Sequence, residues 1–151
     1  MPRTILDVSR WQGSIDWDKV KASGLISGVM IRAMGNSKEG KPSKPYLDPF
    51  FARNYAECTR LGIPVGVYAM LYTGLNFGQN NLYMGGAALK PYDVWLAAYR
   101  TKKPAPDWAF GMWQYTSSGK IPGIAKGADL SVAYKDYAAI IQRAGLGQVR
   151  G

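Results

Sequence analysis

Histidine is absent from this chain, and cysteine occurs once, as Cys58. The first absence excludes Ser-His-Asp and Cys-His catalysis and histidine-ligated zinc; the second excludes an internal disulfide and a cysteine metal cluster. Acids are scarce as well, with 10 Asp and Glu against 19 Lys and Arg, and the glutamates are Glu39 and Glu57 alone. Carboxylates are thus the strong acid–base groups that remain. No apolar run is long enough to span a bilayer, and the amino end has no signal-peptide pattern. Neither a membrane span nor a signal peptide is expected. No cofactor or metal is expected either.

What is present begins with size: 151 residues make one domain, 1–151, able to bury a core. The net charge of +9 favours polyanionic surroundings, whether wall polymers, nucleic acid or an anionic membrane. The cations are scattered, with Lys102-Lys103 the one adjacent pair, so specific nucleic-acid binding ranks behind the other readings. Aromatics are more telling. Five Trp and ten Tyr exceed what a core of this size requires, which places some of them in a groove.

The most informative stretch runs from Ile5 to Gly13, an apolar strand ending in Asp7, Ser9, Arg10, Trp11 and Gln12 before the break at Gly13. Alternation sends Ile5, Asp7 and Ser9 to one face and Leu6, Val8 and Arg10 to the other. A half-buried Asp7 is either held by backbone N–H groups in the turn or part of a site. The indole and amide beside it suit a sugar.

Further along, Asp16 and its neighbours cap a short helix that Gly24 closes, and Gly28–Ala33 reads as a second strand. Residues 34–47 read as a long loop. A helix begins at Asp48-Pro49 and runs to Gly62 with Cys58 in its apolar face. Pro64–Met70 is a third strand, which gives βαβαβ spacing and a parallel sheet. The rhythm then breaks, as though two strand ends were joined near residues 70–74. Tyr92–Tyr99 reads as a strand with Trp95 in the core, Ala109–Tyr115 as the last strand, and Val132–Ala144, capped by Ser131, as the last helix.

The runs Asp7-Val8-Ser9-Arg10-Trp11-Gln12-Gly13 with Ile15-Asp16-Trp17, Gly62–Tyr68, Tyr92–Ala97, and Met112–Tyr115 with Gly123-Ile124 and Asp129-Leu130 together resemble the glycoside hydrolase family 25 lysozymes, which include phage endolysins. They follow the family's order over nearly the whole chain. The resemblance implies a (β/α)8-type barrel that cleaves the β-1,4 bond between N-acetylmuramic acid and N-acetylglucosamine, with its acids at the carboxyl ends of the strands. It matches Asp7 to the acid on the first strand and Asp129 to the acid following the last. The family's Asp-x-Glu, which carries the catalytic glutamate, has no counterpart here.

The expected fold is therefore α/β: a TIM-barrel-derived parallel sheet of about five to six strands, shortened by about two strand-helix units and completed by self-association through its open edges. The expected catalytic residues are Asp7 and Asp129, with Trp11, Gln12, Tyr68, Tyr99, Trp113 and Gln114 lining the sugar groove. Two functions compete. One is a muramidase acting at the bacterial cell wall on peptidoglycan or a related polysaccharide; the other is an inactive wall-binding or minimal fold that keeps the aromatics.

Overall fold

The alternation read in the first strand is realised in β1 (Arg3–Val8), whose two faces enter two different layers. A computed structural model of the chain describes residues 3–38, 41–70, 93–105 and 109–143. Leu6 and Val8 point outward into the larger core, and Ile5 and Asp7 point to the inner face. A 3-10 turn, Arg10–Gln12, follows, and then α1 (Trp17–Ala22), whose amino end is capped by the Asp16 carboxylate accepting from the Lys19 N–H at 3.1 Å. β2 (Gly28–Lys38) is longer than the sequence indicates, because it continues into a hairpin with β3 (Lys41–Leu47). Residues 34–38 and 41–47, expected in a loop, are thus strand. Pro42 and Pro45 argue against a strand there, but β3 is a sheet edge, where a missing N–H is tolerated.

α2 (Phe51–Arg60) and β4 (Val65–Met70) follow as expected. Trp17 of α1 donates from Nε1 to Asn54 Oδ1 of α2 at 3.1 Å, and both helices pack on the outer sheet face. Cys58 is buried there among Leu6, Val8, Val29 and Ile31. After β5 (Trp95–Ala97) comes β6 (Met112–Gly119), which is not the last strand. The expected helix over 132–144 is corrected to a strand and a shorter helix: β7 (Ala128–Ala133) and α3 (Tyr137–Arg143). Residues 128–133 alternate between the two sheet faces and pair on both edges, and the α3 cap is Asp136, which accepts the Ala139 N–H at 3.0 Å. Residues 71–74 of the suspected junction and Tyr92 lie outside the described residues.

The sheet order is β3-β2-β1-β7-β6-β5, with β4 also paired to β2. Val29–Ile31 pair with both β1 and β4, so these strands flank opposite edges of β2. The pairs β1·β2, β2·β4 and β5·β6 are parallel, while β1·β7, β6·β7 and β2·β3 are antiparallel. Five strands therefore share one direction and bring their carboxyl ends to one mouth. The sheet is mixed because β3 and β7 run against them, and the reversal of β7 brings its amino end, and Asp129, to that same mouth. The result is a curled half-barrel with α1 and α2 outside, while Tyr137 of α3 packs against the inner-face cluster of Ile5, Met112 and Ala133.

One carboxylate ties these parts together. Asp48 Oδ2 accepts from Arg32 Nη2 at 2.6 Å, Arg32 Nε at 2.8 Å and the Arg10 N–H at 2.9 Å, and Oδ1 accepts from the Phe50 N–H at 3.0 Å. Both side chains of the ion pair are buried. Asp48→Ala strands a buried guanidinium, and we expect a loss of roughly 3–5 kcal/mol of stability, read as a lower denaturant midpoint. Gly123 has φ +93°, and a Cβ there would meet the Asp16 carbonyl at 2.3 Å. Gly123→Ala should cost at least about 1–3 kcal/mol by the same measurement.

Candidate active site

The inner face of the sheet is set by register. Asp7 of β1 lies directly opposite Asp129 of β7, and Ile5 opposite Ser131. Directly opposed residues on one face have Cβ atoms about 4.5–5.5 Å apart, so two carboxylates converge at the mouth. Arg32 of β2 and Tyr68 of β4 are register partners on the same face, and Gln114 of β6 is the partner of Ser131.

The bonding around Asp7 decides between the two explanations of its burial. Its residue is 2% exposed, and its partner is a side chain: Gln114 donates from Nε2 to Oδ2 at 2.6 Å, with the Tyr68 hydroxyl nearby favouring the charged form. Gln114 in turn accepts from the Tyr99 hydroxyl at 3.0 Å through Oε1, which orients the amide so that its NH₂ faces the acid. Burial pushes the Asp7 carboxyl up from 3.8 to about 7; the nearby Asp129 adds to the rise, while Gln114 and Tyr68 oppose it. Burial raises the half-buried Asp129 as well. The Tyr68 phenol is held above its usual range, chiefly by burial and then by the charge on Asp7.

Four of the residues expected in the site are thus brought together with Asp7 and Asp129 or set at their rim: Tyr68, Tyr99, Gln114 and Trp11. Trp11 is 63% exposed in the 3-10 turn that follows the carboxyl end of β1. Two are not in the groove. Gln12 is buried and takes the Ser9 N–H on Oε1 at 2.9 Å, closing a capping box that shapes the turn. Trp113 is 7% exposed and sits one residue out of phase with Gln114, hence on the opposite sheet face, where its Nε1 donates to the Ala98 carbonyl at 2.8 Å. Trp95, expected in the core, packs at the floor of the inner face, edge-on to Tyr68, and donates to Ser131 Oγ at 3.0 Å.

Sequence reasoning missed Arg32, Tyr46 and the second role of Asp48. Arg32 carried a signal, since a cation ending an otherwise apolar strand needs a buried counterion. Tyr46 carried none, being hidden between prolines. Of the glutamates, Glu57 is on α2, paired with Arg60 at 2.8 Å. Glu39 lies outside the described residues. No glutamate stands at the mouth among the described residues.

The chain is similar to known proteins. The family model for glycosyl hydrolases family 25 matches residues 6–69 and 66–124. Over 65 residues the chain is 35% identical to the autolytic lysozyme of Clostridium acetobutylicum, a match covering 43% of this chain and 19% of that protein. The chain thus spans about a fifth of the length of the curated relatives it matches. The crystal structure of a lysozyme from Streptomyces coelicolor superposes with a TM-score of 0.70 at 18% identity, covering 93% of this chain and 96% of that one. The modular autolysin LytC of Streptococcus pneumoniae, in complex with a synthetic peptidoglycan ligand, gives a TM-score of 0.61 at 24% identity, covering 88% and 47%.

The raised Asp7 carboxyl has a stability signature. Below pH 4 the group is protonated whether the chain is folded or not; between pH 4 and 7 the folded protein alone keeps the proton. Stability therefore falls as pH rises across that window and is flat above it. Asp7→Asn removes this loss. We expect the variant to match the parent near pH 4 and to exceed it at pH 8 by a few kcal/mol, at most about 4. Urea melts at the two pH values check this; a variant that gains nothing over the parent at pH 8 relative to pH 4 would mean that the folded state does not hold Asp7 protonated.

Proposed function

The chain belongs to glycosyl hydrolases family 25, and from that membership we propose that it binds the glycan strand of peptidoglycan and slowly hydrolyses the β-1,4 bond between N-acetylmuramic acid and N-acetylglucosamine. The observation that carries this reading is the Asp7–Asp129 pair, opposed across β1 and β7 at the mouth. Glycoside hydrolysis needs one carboxyl that gives a proton to the leaving oxygen and one that stays charged against the sugar. Asp7, buried and holding its proton to about pH 7, is suited to the first task, and the more open Asp129 to the second. Gln114 and Tyr99 orient the donor, and Trp11 offers an exposed ring for a sugar.

The rate is slow in this reading because, among the described residues, no glutamate supplements the pair. Loss of one essential carboxyl typically removes about 10²- to 10⁴-fold of rate. The same observation favours a second reading, in which the groove binds wall glycan without cleaving it. The single shortened domain belongs to the proposal as well. The two runs of the family match meet at residues 66–69, which supports a junction just after β4. Self-association and action at the cell wall complete it. Among the described residues β4 pairs with β2 alone and β5 with β6 alone, and Val67 and Met70 of β4 are exposed.

Reducing-sugar release from purified peptidoglycan tests the proposal. We expect slow release that declines as pH rises above about 7 and is abolished in Asp7→Asn and Asp129→Asn. Release that survives both substitutions would remove the pair from catalysis, and pelleting with the wall without release would establish the binding-only reading.

A further inference from the structure

The rim of the mouth holds a cation that the hydrolytic reading does not use. Arg10 opens the 3-10 turn just after β1, three residues beyond Asp7. Its backbone N–H is bonded to Asp48 Oδ2, so the turn is fixed in place. Its guanidinium lies over two rings, 5.2 Å from the Trp11 centroid and 4.9 Å from that of Tyr46. Tyr46 is itself seated on Gly35, its cross-strand partner, where an added Cβ would come within 3.0 Å of the hydroxyl.

The charge count around this stack is uneven. Arg32 also reaches the Tyr46 ring, at 6.0 Å, but its charge is met by Asp48 at 2.6 Å. That carboxylate is fully engaged, with three donors on Oδ2 and one on Oδ1. Arg10 has neither an ion pair nor a side-chain hydrogen bond among the described residues. A planar cation held against aromatic faces keeps its N–H edge for an acceptor, and its fork matches a carboxylate. An ordinary surface arginine would be merely solvated. This one is oriented by two rings and adjoins an indole that is 63% exposed, in the turn that follows the strand carrying Asp7.

We propose that Arg10, Trp11 and Tyr46 form a carboxylate-reading subsite at the rim, in which Trp11 stacks on a sugar ring and Arg10 engages an acidic substituent of the same strand. The subsite selects acidic glycan over neutral glycan of equal length. It rests on the glycan reading above and adds a specificity that the acid pair does not confer. Two sources supply the carboxylate in a peptidoglycan strand: the lactyl ether of a peptide-free muramic acid and the free carboxyls of a stem peptide.

Calorimetric titration of the whole chain with three tetrasaccharides tests this. The probes are a neutral N-acetylglucosamine oligomer, a peptide-free alternating strand with free lactyl carboxylates, and the same strand with stem peptides amide-linked through them. We expect at least one acidic probe to bind roughly tenfold more tightly than the neutral one, a preference that shrinks with added salt. Arg10→Gln should bring that probe down to the neutral level while leaving neutral binding in place. Arg10→Lys, which keeps the charge without the fork, should retain part of the preference and serves as the folding control. The acidic probe that responds identifies the source. Wild-type binding without acid preference, or a preference unchanged in Arg10→Gln, overturns the subsite and leaves the glycan reading standing; no binding of any probe overturns both.

Discussion

Asp48 is the constraint on which the mouth depends. A carboxylate buried this deeply must satisfy its oxygens internally, and it does so with groups from three places in the chain: the turn after β1, the middle of β2 and the start of α2. Each bond is modest by itself. Together they fix where the chain leaves β1, and so where Arg10 and Trp11 stand relative to Asp7. The backbone joins in, because the Asp48 N–H reaches the Ala33 carbonyl at 2.8 Å and the Phe51 N–H reaches the Asp48 carbonyl at 3.0 Å. The rim of the site is thus built on a buried ion pair.

The acid pair itself follows from strand direction. Were β7 parallel to β1, a residue at its amino end would lie at the far end of the sheet from Asp7. Reversal puts Asp129 opposite Asp7, and the inner-face alternation does the rest. Burial disfavours the charge on both acids, and repulsion from Asp129 adds to the rise on Asp7, so the pair holds a proton that separate aspartates would have given up. The Gln114 amide, turned by Tyr99, moderates the effect from β6.

Much of this was legible in the chain. The apolar run into Asp7, the Asp16 cap, the face of α2 and the third strand all follow from local pattern, and the structure keeps them. Motif order carried the family and the two acids. What failed was information that is not local. Ser131 looks like a helix cap, yet pairing with strands more than a hundred residues earlier and nearly twenty earlier makes its segment a strand. Gln12 and Trp113 are polar or amphipathic neighbours of the site in sequence, but a turn closes over one and sheet phase turns the other away. Arg32 and Asp48 become partners only once a hairpin is closed between them.

The strand order also bears on how such a protein can be altered. β1 and β7 stand inside the order, each held on both edges, whereas β4 and β5 end it on opposite sides. The chain from Met70 to Trp95 therefore links strands at opposite ends of the order, while the pairing that sets Asp7 against Asp129 is made by β1 and β7. The interior strands behave as a chassis, and the connection as an exchangeable cassette. Because β1 and β7 alone set the register of the acids, this joint is the place to graft a new catalytic group without disturbing it.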